Sequence, residues 1–286
     1  MATVLGAKRD GTAGADTSRG LVMTLLGEFV LPNGGVAWTQ TLIEALALLG
    51  VRDKAARQAI SRMHERGWLE RTRVGRRTQW RLSESTRALL ETGAERIYGF
   101  GRTGRAWDGS WLIVLASLPE RDRSLRYRMA VGLSWSGFGS LGNGTWISPW
   151  ADEESSAVQV LDGLGVDAAS FVGTLGQLGK QSELVDQAWD LATLRGHYES
   201  FLADTAPLVE NETSEGESSL TELALLVHRW RRFPFLDPGL PGDLLPADWP
   251  GQAAADRFTE ARARLLEPAT AQWLTWEENY SSPVQR

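Results

Sequence analysis

The 286-residue chain contains no cysteine and only three histidines, His64, His197 and His228. Without a thiol there is neither a disulfide framework nor a thiolate metal site. The three histidines are scattered without ligand spacing, so structural or surface roles are expected and no metal is implied. Long apolar runs are missing too. The longest, around Trp111 to Leu118, is far too short to cross a bilayer. No charged-then-apolar leader opens the sequence, so a soluble, cytoplasmic protein with no membrane partner is expected. Catalytic signatures are thin. Gly137-Phe138-Gly139-Ser140-Leu141-Gly142 matches G-x-G-x-x-G, but a dinucleotide fingerprint follows a strand and opens a helix, whereas the order here is helix then strand. Gly132-Leu133-Ser134-Trp135-Ser136 misses the nucleophile-elbow pattern at its last position. Asp108 and Asp122 lie outside the apolar strand where paired nuclease carboxylates would converge. Neither an enzyme nor a bound cofactor is expected.

What is present is a basic island. The chain carries a net charge of −6, yet residues 52 to 81 hold ten Lys or Arg against three acids, a local +7. A single basic island in an acidic protein is the electrostatic form of a nucleic-acid contact, because phosphates are drawn to it while the remainder discourages indiscriminate binding. The pattern beneath the charge sharpens this reading. Ala56, Ile60, Met63 and Gly67 recur at helical spacing, which turns Lys54, Arg57, Gln58, Ser61 and Arg62 to solvent. Gly67 ends that helix. Trp68 to Arg73 and Arg77 to Leu82 then read as two strands around the turn Val74-Gly75-Arg76. A polar-faced helix followed by an Arg-tipped hairpin is the form of a winged helix-turn-helix, the helix suited to the major groove and the tip to backbone or minor groove. Upstream, Ser18 caps a helix to about Val30, apolar at Leu21, Leu25, Leu26 and Phe29. Thr39 caps a second with Leu42, Ile43, Leu46 and Leu49 inward, closed by Gly50.

The sequence resembles the PaaX family of bacterial transcription regulators, the phenylacetic-acid degradation repressors, over nearly its whole length. Leu25-Leu26-Gly27-Glu28-Phe29, Arg62 to Leu69, Gly75-Arg76-Arg77 and Trp80-Arg81-Leu82 carry the resemblance in the first 85 residues. Trp107-Asp108-Gly109-Ser110-Trp111, Gly137-Phe138-Gly139 through Trp146-Ile147-Ser148-Pro149, Phe235 to Pro241 and Leu244 to Gly251 carry it further on. The resemblance implies a homodimeric repressor of aromatic-catabolism operons that binds a double-stranded DNA operator and is released by an aryl-coenzyme A thioester.

Beyond the island an α+β chain of several domains is expected: a disordered stretch at 1–17, the winged helix-turn-helix at 18–85 and a connector at 86–106. A ferredoxin-like (split βαβ) middle domain follows at 107–178, then a mostly helical C-terminal domain at 179–286 for effector binding or dimerisation. The middle domain reads strand-helix-strand-strand-helix-strand, starting with Trp111 to Ala116; the last helix runs from about Gln252 to Leu266, bent or restarted at Pro268. Residues 151 to 222 hold fifteen acids and two bases, unsuited to a DNA contact. The DNA-binding candidates are Arg52, Lys54, Arg57, Gln58, Ser61, Arg62, Arg73, Arg76 and Arg77. An aryl-CoA needs an apolar slot and cations for its phosphates, which gives Arg102, Arg105, Arg126, Trp146 and Trp249 as effector candidates. Packing remains the alternative for each tryptophan. The arginines Arg96, Arg102, Arg105, Arg121, Arg123, Arg126 and Arg128 have three readings: surface solubility, a supplementary DNA contact, or a coenzyme A clamp.

Overall fold

The computed structural model describes residues 18–101, 105–117, 122–210 and 215–281. The expectation of disorder at 1–17 falls outside them. In chain order the elements are α1 (Ser18–Leu25) running into a π-helical turn (Leu26–Val30), β1 (Val36–Trp38), α2 (Thr39–Leu48), α3 (Asp53–Glu65), β2 (Leu69–Val74), β3 (Arg77–Leu82) and α4 (Glu84–Gly99). Next come β4 (Ser110–Ala116), α5 (Arg123–Trp135), β5 (Gly139–Gly142), β6 (Thr145–Ser148), α6 (Glu154–Asp162) and β7 (Ala168–Thr174). The remainder is helical: α7 (Gln181–Ala188), α8 (Leu191–Thr205), α9 (Pro207–Glu210), α10 (Glu217–Trp230), α11 (Phe233–Leu236) and α12 (Gly251–Ser281). The chain is thus a mixture of helix and antiparallel sheet.

Contacts divide the described residues into two compact units. One draws on residues 1–99, 201–232 and 254–286, the other on 100–200 and 233–253. The stretch from 179 onward, read from sequence as one domain, is therefore shared between both. In the first unit β1, β3 and β2 form an antiparallel sheet in that order. Its core takes the expected apolar stripes: Leu21, Leu25 and Phe29 from the first helix, Leu42 and Leu46 from α2, and Ala56, Ile60 and Met63 from α3, all buried. Onto these pack Leu223, Val227 and Trp230 of α10 and Phe258, Leu265 and Trp273 of α12. Trp273 stacks on Phe29 at 5.2 Å and Trp230 on Phe258 at 4.7 Å. At about 1.5–3 kcal/mol for each large side chain removed from water, this face gives residues far apart in sequence a shared reason to order.

Two expectations are corrected here. Thr39 does not cap α2: it is the first helical residue, and its hydroxyl instead donates to the Thr78 carbonyl at 2.9 Å and accepts from the Trp80 indole at 2.9 Å, tying α2 to β3. Nor does the last helix stop or restart at Pro268, which lies inside the unbroken 31-residue α12. An interior proline costs a helix about 3 kcal/mol. The buried stripe Ala261, Leu265, Ala269, Trp273 and Trp276 continues across it and offsets that cost.

In the second unit the sheet order is β5-β6-β4-β7, antiparallel throughout. α5 joins β4 to β5 across β6, and α6 joins β6 to β7 across β4. Leu112 and Val114 of β4 meet Met129, Leu133 and Leu161 on the helical face; Trp111 and Ile147 meet Val185, Leu240 and Leu244 on the other. Two of the G-x-G-x-x-G glycines, Gly137 and Gly139, serve this packing. A Cβ on Gly139 would sit 2.5 Å from the Trp189 ring, so only glycine lets that indole close over β5. The Pro-rich segment is anchored by Asp237, which accepts from the Tyr198 hydroxyl at 2.5 Å and the Gly239 amide at 2.7 Å. Burial pushes that carboxyl above its ordinary value.

Candidate nucleic-acid interface

α3 is amphipathic by construction. Ala56, Ala59, Ile60 and Met63 are buried, while Lys54, Arg57, Gln58, Ser61 and Arg62 are exposed together with Arg52 at the N-cap position. Its end is fixed where the sequence places it: the Gly67 amide donates to the His64 carbonyl and the Trp68 amide to that of Met63. Two of the exposed residues already have partners. Arg57 holds Asp53 through Nε at 2.8 Å and Nη2 at 3.1 Å, an i, i+4 pair that keeps the guanidinium above its ordinary value. Ser61 donates to Glu65 at 3.0 Å. Exposed pairs of this kind are worth about 0.3–0.5 kcal/mol, whereas a bidentate Arg–guanine contact discriminates by about 1–3 kcal/mol. The pair orients the side chain and is too weak to hold it from a stronger partner.

The hairpin follows α3 directly. β2 and β3 run in register from Leu69↔Leu82 to Val74↔Arg77, so Gly75 and Arg76 form a two-residue turn. Gly75 takes φ 61 and Arg76 does not go positive, the sign pattern of a II′ turn that requires glycine first. Beyond Leu69, β2 is exposed along its length, with Arg71 and Arg73 on it and Arg76 exposed at the tip. Arg73 donates to the Gly75 carbonyl at 3.2 Å. The hairpin is tied back to α3 by His64, which bonds the Leu69 carbonyl at 2.7 Å and lies 5.4 Å from the Trp80 ring. At the base of the island Arg19 lies 4.8 Å over Trp68, and burial together with the charge of Arg66 depresses its pKa.

Arg77 is placed differently from the other candidates. It is half-buried, and its guanidinium donates to the Tyr280 carbonyl at the end of α12 and lies 5.8 Å over the Tyr280 ring. Glu277, one turn earlier, accepts from the Trp38 amide at 3.0 Å; the Tyr280 hydroxyl donates to Glu44 of α2. Burial raises the Glu277 carboxyl, and burial with the nearby Glu44 pushes the Tyr280 hydroxyl up to about 12. These contacts link positions more than 200 residues apart, and no local pattern announces them. A second long-range cluster involves Glu28, fully buried in the π-helical turn. It accepts from Arg262 at 2.8 Å and from the Tyr98 hydroxyl, while the Arg262 guanidinium lies 4.4 Å over the Tyr98 ring. The motif containing Glu28 was visible in the sequence; its partners were not.

The effector candidates do not form one recognisable cluster. Arg102 lies outside the described residues. Arg105 pairs with Asp152 and lies 4.2 Å over Trp150, whose indole donates to the Gly239 carbonyl. Arg126 is exposed on α5. Trp146 is buried in the sheet core beside Met129 and Leu133. Trp249 is half-buried, edge-on to Tyr198, with Arg195 5.5 Å above it and bonded to Asp248. Of the histidines, His228 is buried and bonds Thr24 at 2.9 Å, a packing role.

Three family models cover the chain in order: PaaX-like protein at residues 17–86, PaaX protein central Cas2-like domain at 104–185, and PaaX-like protein C-terminal domain at 189–275. The transcriptional repressor PaaX of Escherichia coli (strain K12) is 31% identical over 262 residues, 88% of this chain and 81% of that protein. The chain belongs to the PaaX family. Among solved structures, the uncharacterized protein Rv0674 from Mycobacterium tuberculosis matches with a TM-score of 0.61 over 90% of this chain and 99% of that one, at 23% identity, a likeness of fold. The three PaaX models follow sequence segments, whereas the compact units interleave them: the C-terminal family segment supplies α10 and most of α12 to the unit that contains the basic island.

Proposed function

We propose that the chain is a DNA-binding transcriptional repressor, not an enzyme, that governs an aromatic-compound catabolic operon of the phenylacetate type. It acts as a homodimer on a palindromic operator and is released by an aryl-CoA thioester such as phenylacetyl-CoA. The observation that carries the DNA part is α3, apolar on its buried side and presenting Lys54, Arg57, Gln58, Ser61 and Arg62 outward, with the Arg-bearing hairpin immediately behind it. We read α1–α3 and β1–β3 as a winged helix-turn-helix, supported by three helices against a β1-β3-β2 sheet. The middle sheet is read as ferredoxin-like, supported by its β5-β6-β4-β7 order and two interleaved strand-helix-strand units. Arg57, Gln58, Ser61 and Arg62 are assigned to base edges, and Arg52, Lys54, Arg73, Arg76 and Arg77 to phosphates.

A palindrome is read only when two recognition helices stand about one helical turn, or a multiple of it, apart. An effector that binds better to the wrong spacing therefore empties the DNA-competent state. Arg102, Arg105, Arg126 and Trp249 remain the proposed contacts of the thioester, and Trp146, buried beside Met129 and Leu133, is assigned to the core. The test uses purified protein, a duplex it selects from a random pool, and a panel of phenylacetyl-CoA, other acyl-CoA thioesters and free phenylacetate. Retarded duplex with dyad symmetry, released by one thioester that also raises the melting temperature, is the expected result. A selected site without dyad symmetry contradicts the dimer. Release by the free acid instead of any thioester contradicts the effector assignment.

A further inference from the structure

Nothing in a winged domain's local sequence fixes how the wing stands relative to the recognition helix, yet both must meet one duplex together. α3 holds the wing hairpin only at its base, through His64 and the Leu69 carbonyl, and β2 is exposed from Glu70 to Val74. Its support comes from β3, and β3 is held from the far end of the chain. The last turns of α12 touch three elements of the DNA-binding unit. Glu277 accepts from the Trp38 amide where β1 passes into α2, the Tyr280 hydroxyl donates to Glu44 within α2, and the Tyr280 carbonyl accepts from Arg77 at the head of β3. Arg77 thereby caps the C-terminal end of α12, where free carbonyls and the negative end of the helix dipole favour a cation. The other end of the same helix packs Phe258 and Leu265 into the core of that unit, so its terminus is held by buried surface and does not fray freely.

We propose that the end of α12 is a brace for the wing, with Glu277 and Tyr280 as positioning residues that set the direction in which Arg73 and Arg76 meet DNA. The inference rests on reading the hairpin as a phosphate-contacting wing. Neither residue touches DNA in this account. Glu277 fixes β1 and, through the Trp38↔Gln79 and Val36↔Arg81 pairing, the middle strand of the sheet. Tyr280 fixes the first residue of that strand, next to the turn, through its carbonyl and its ring; alanine there keeps the carbonyl but removes the ring beneath Arg77 and the hydroxyl bond to Glu44. Loss of either leaves α3 intact and lets the hairpin swing.

The test uses the full-length protein with Glu277→Ala, Glu277→Gln and Tyr280→Ala, titrated against a duplex the unchanged protein selects from a random pool, with melting curves in parallel. Each alanine variant is expected to bind about tenfold more weakly while still melting cooperatively. Glu277→Gln is expected to bind like the unchanged protein, because its amide oxygen still accepts from Trp38. The deciding arm repeats the measurement in an Arg73→Ala/Arg76→Ala background. There only Arg77 is left for the brace to aim, so the further alanine changes should cost much less than tenfold, whereas simple damage to the domain would weaken binding equally in both backgrounds. Alanine variants that bind as well as or better than the unchanged protein overturn the brace, as does an additive loss in the wing-neutral background. Should Arg73→Ala/Arg76→Ala alone leave binding unchanged, the wing reading itself falls, and the brace with it.

Discussion

Arg57 is held in the free protein by Asp53, four residues before it on the same helix. Both side chains are more than half exposed, so the pair costs little to part, and its effect is to restrict the rotamers that the proposed base contact would otherwise have to fix. The opposite situation holds at Glu28, whose side chain is fully buried against Arg262 and Tyr98. Removing the carboxylate there strands the Arg262 guanidinium, part of which already lacks an acceptor at Nε. Glu28→Ala should therefore cost about 3 kcal/mol in denaturant unfolding, the low end for a broken buried pair because Arg262 is partly exposed. Glu28→Gln, which keeps the acceptor oxygen, should cost distinctly less. Equal losses for the two variants would show that the carboxylate charge carries the whole effect and that an acceptor oxygen alone does not replace it.

At the scale of elements, what was legible in the sequence is what periodicity and charge decide locally. α3, its Gly67 terminus, the β2–β3 hairpin and the strand Ser110–Ala116 stand within a residue or two of where the pattern puts them, because each has one apolar face and a clear stop. Thr39 and Pro268 were misread for one reason: a tertiary partner outweighed a local preference, Thr78 and Trp80 in the first case and the buried stripe of α12 in the second. Arg77 was legible as a basic residue of the hairpin, but Tyr280, 203 positions away, was not. The wing itself is testable as an element. Arg73→Ala with Arg76→Ala should weaken binding to all duplexes alike and lower the slope of log affinity against log salt by about 2, roughly one per phosphate contact; an unchanged slope would remove the wing from the backbone. α12 makes a prediction in pH. Burial raises Glu277 above its ordinary 4.5, so folding favours its protonated form. The stability linked to that proton is fully present below about pH 4.5 and is lost as pH rises through the folded value. Glu277→Gln carries no such charge, so its melting temperature relative to the unchanged protein should rise between pH 4.5 and pH 7. A constant or falling difference would contradict this.

At the scale of the molecule, charge and fold are partitioned differently. The bases of the island occupy one short segment, and fifteen acids against two bases fill residues 151 to 222, so the strongest attraction for phosphate is at α3 and the hairpin. The compact units, by contrast, are built from separated segments. A cut at residue 85, where the sequence places a boundary, would part α10 from α1 and α2 and take from Trp273 of α12 the Phe29 ring it stacks on. Effector binding is therefore best examined in the whole protein. The claim at the centre of the account is that α3 reads sequence, and site selection from a random duplex pool with the unchanged protein and Arg57→Ala tests it most directly. The account predicts the same dyad-symmetric site with preference relaxed at one position in each half, and binding weaker by about 1–3 kcal/mol. An identical base preference at every position would place the readout on another element.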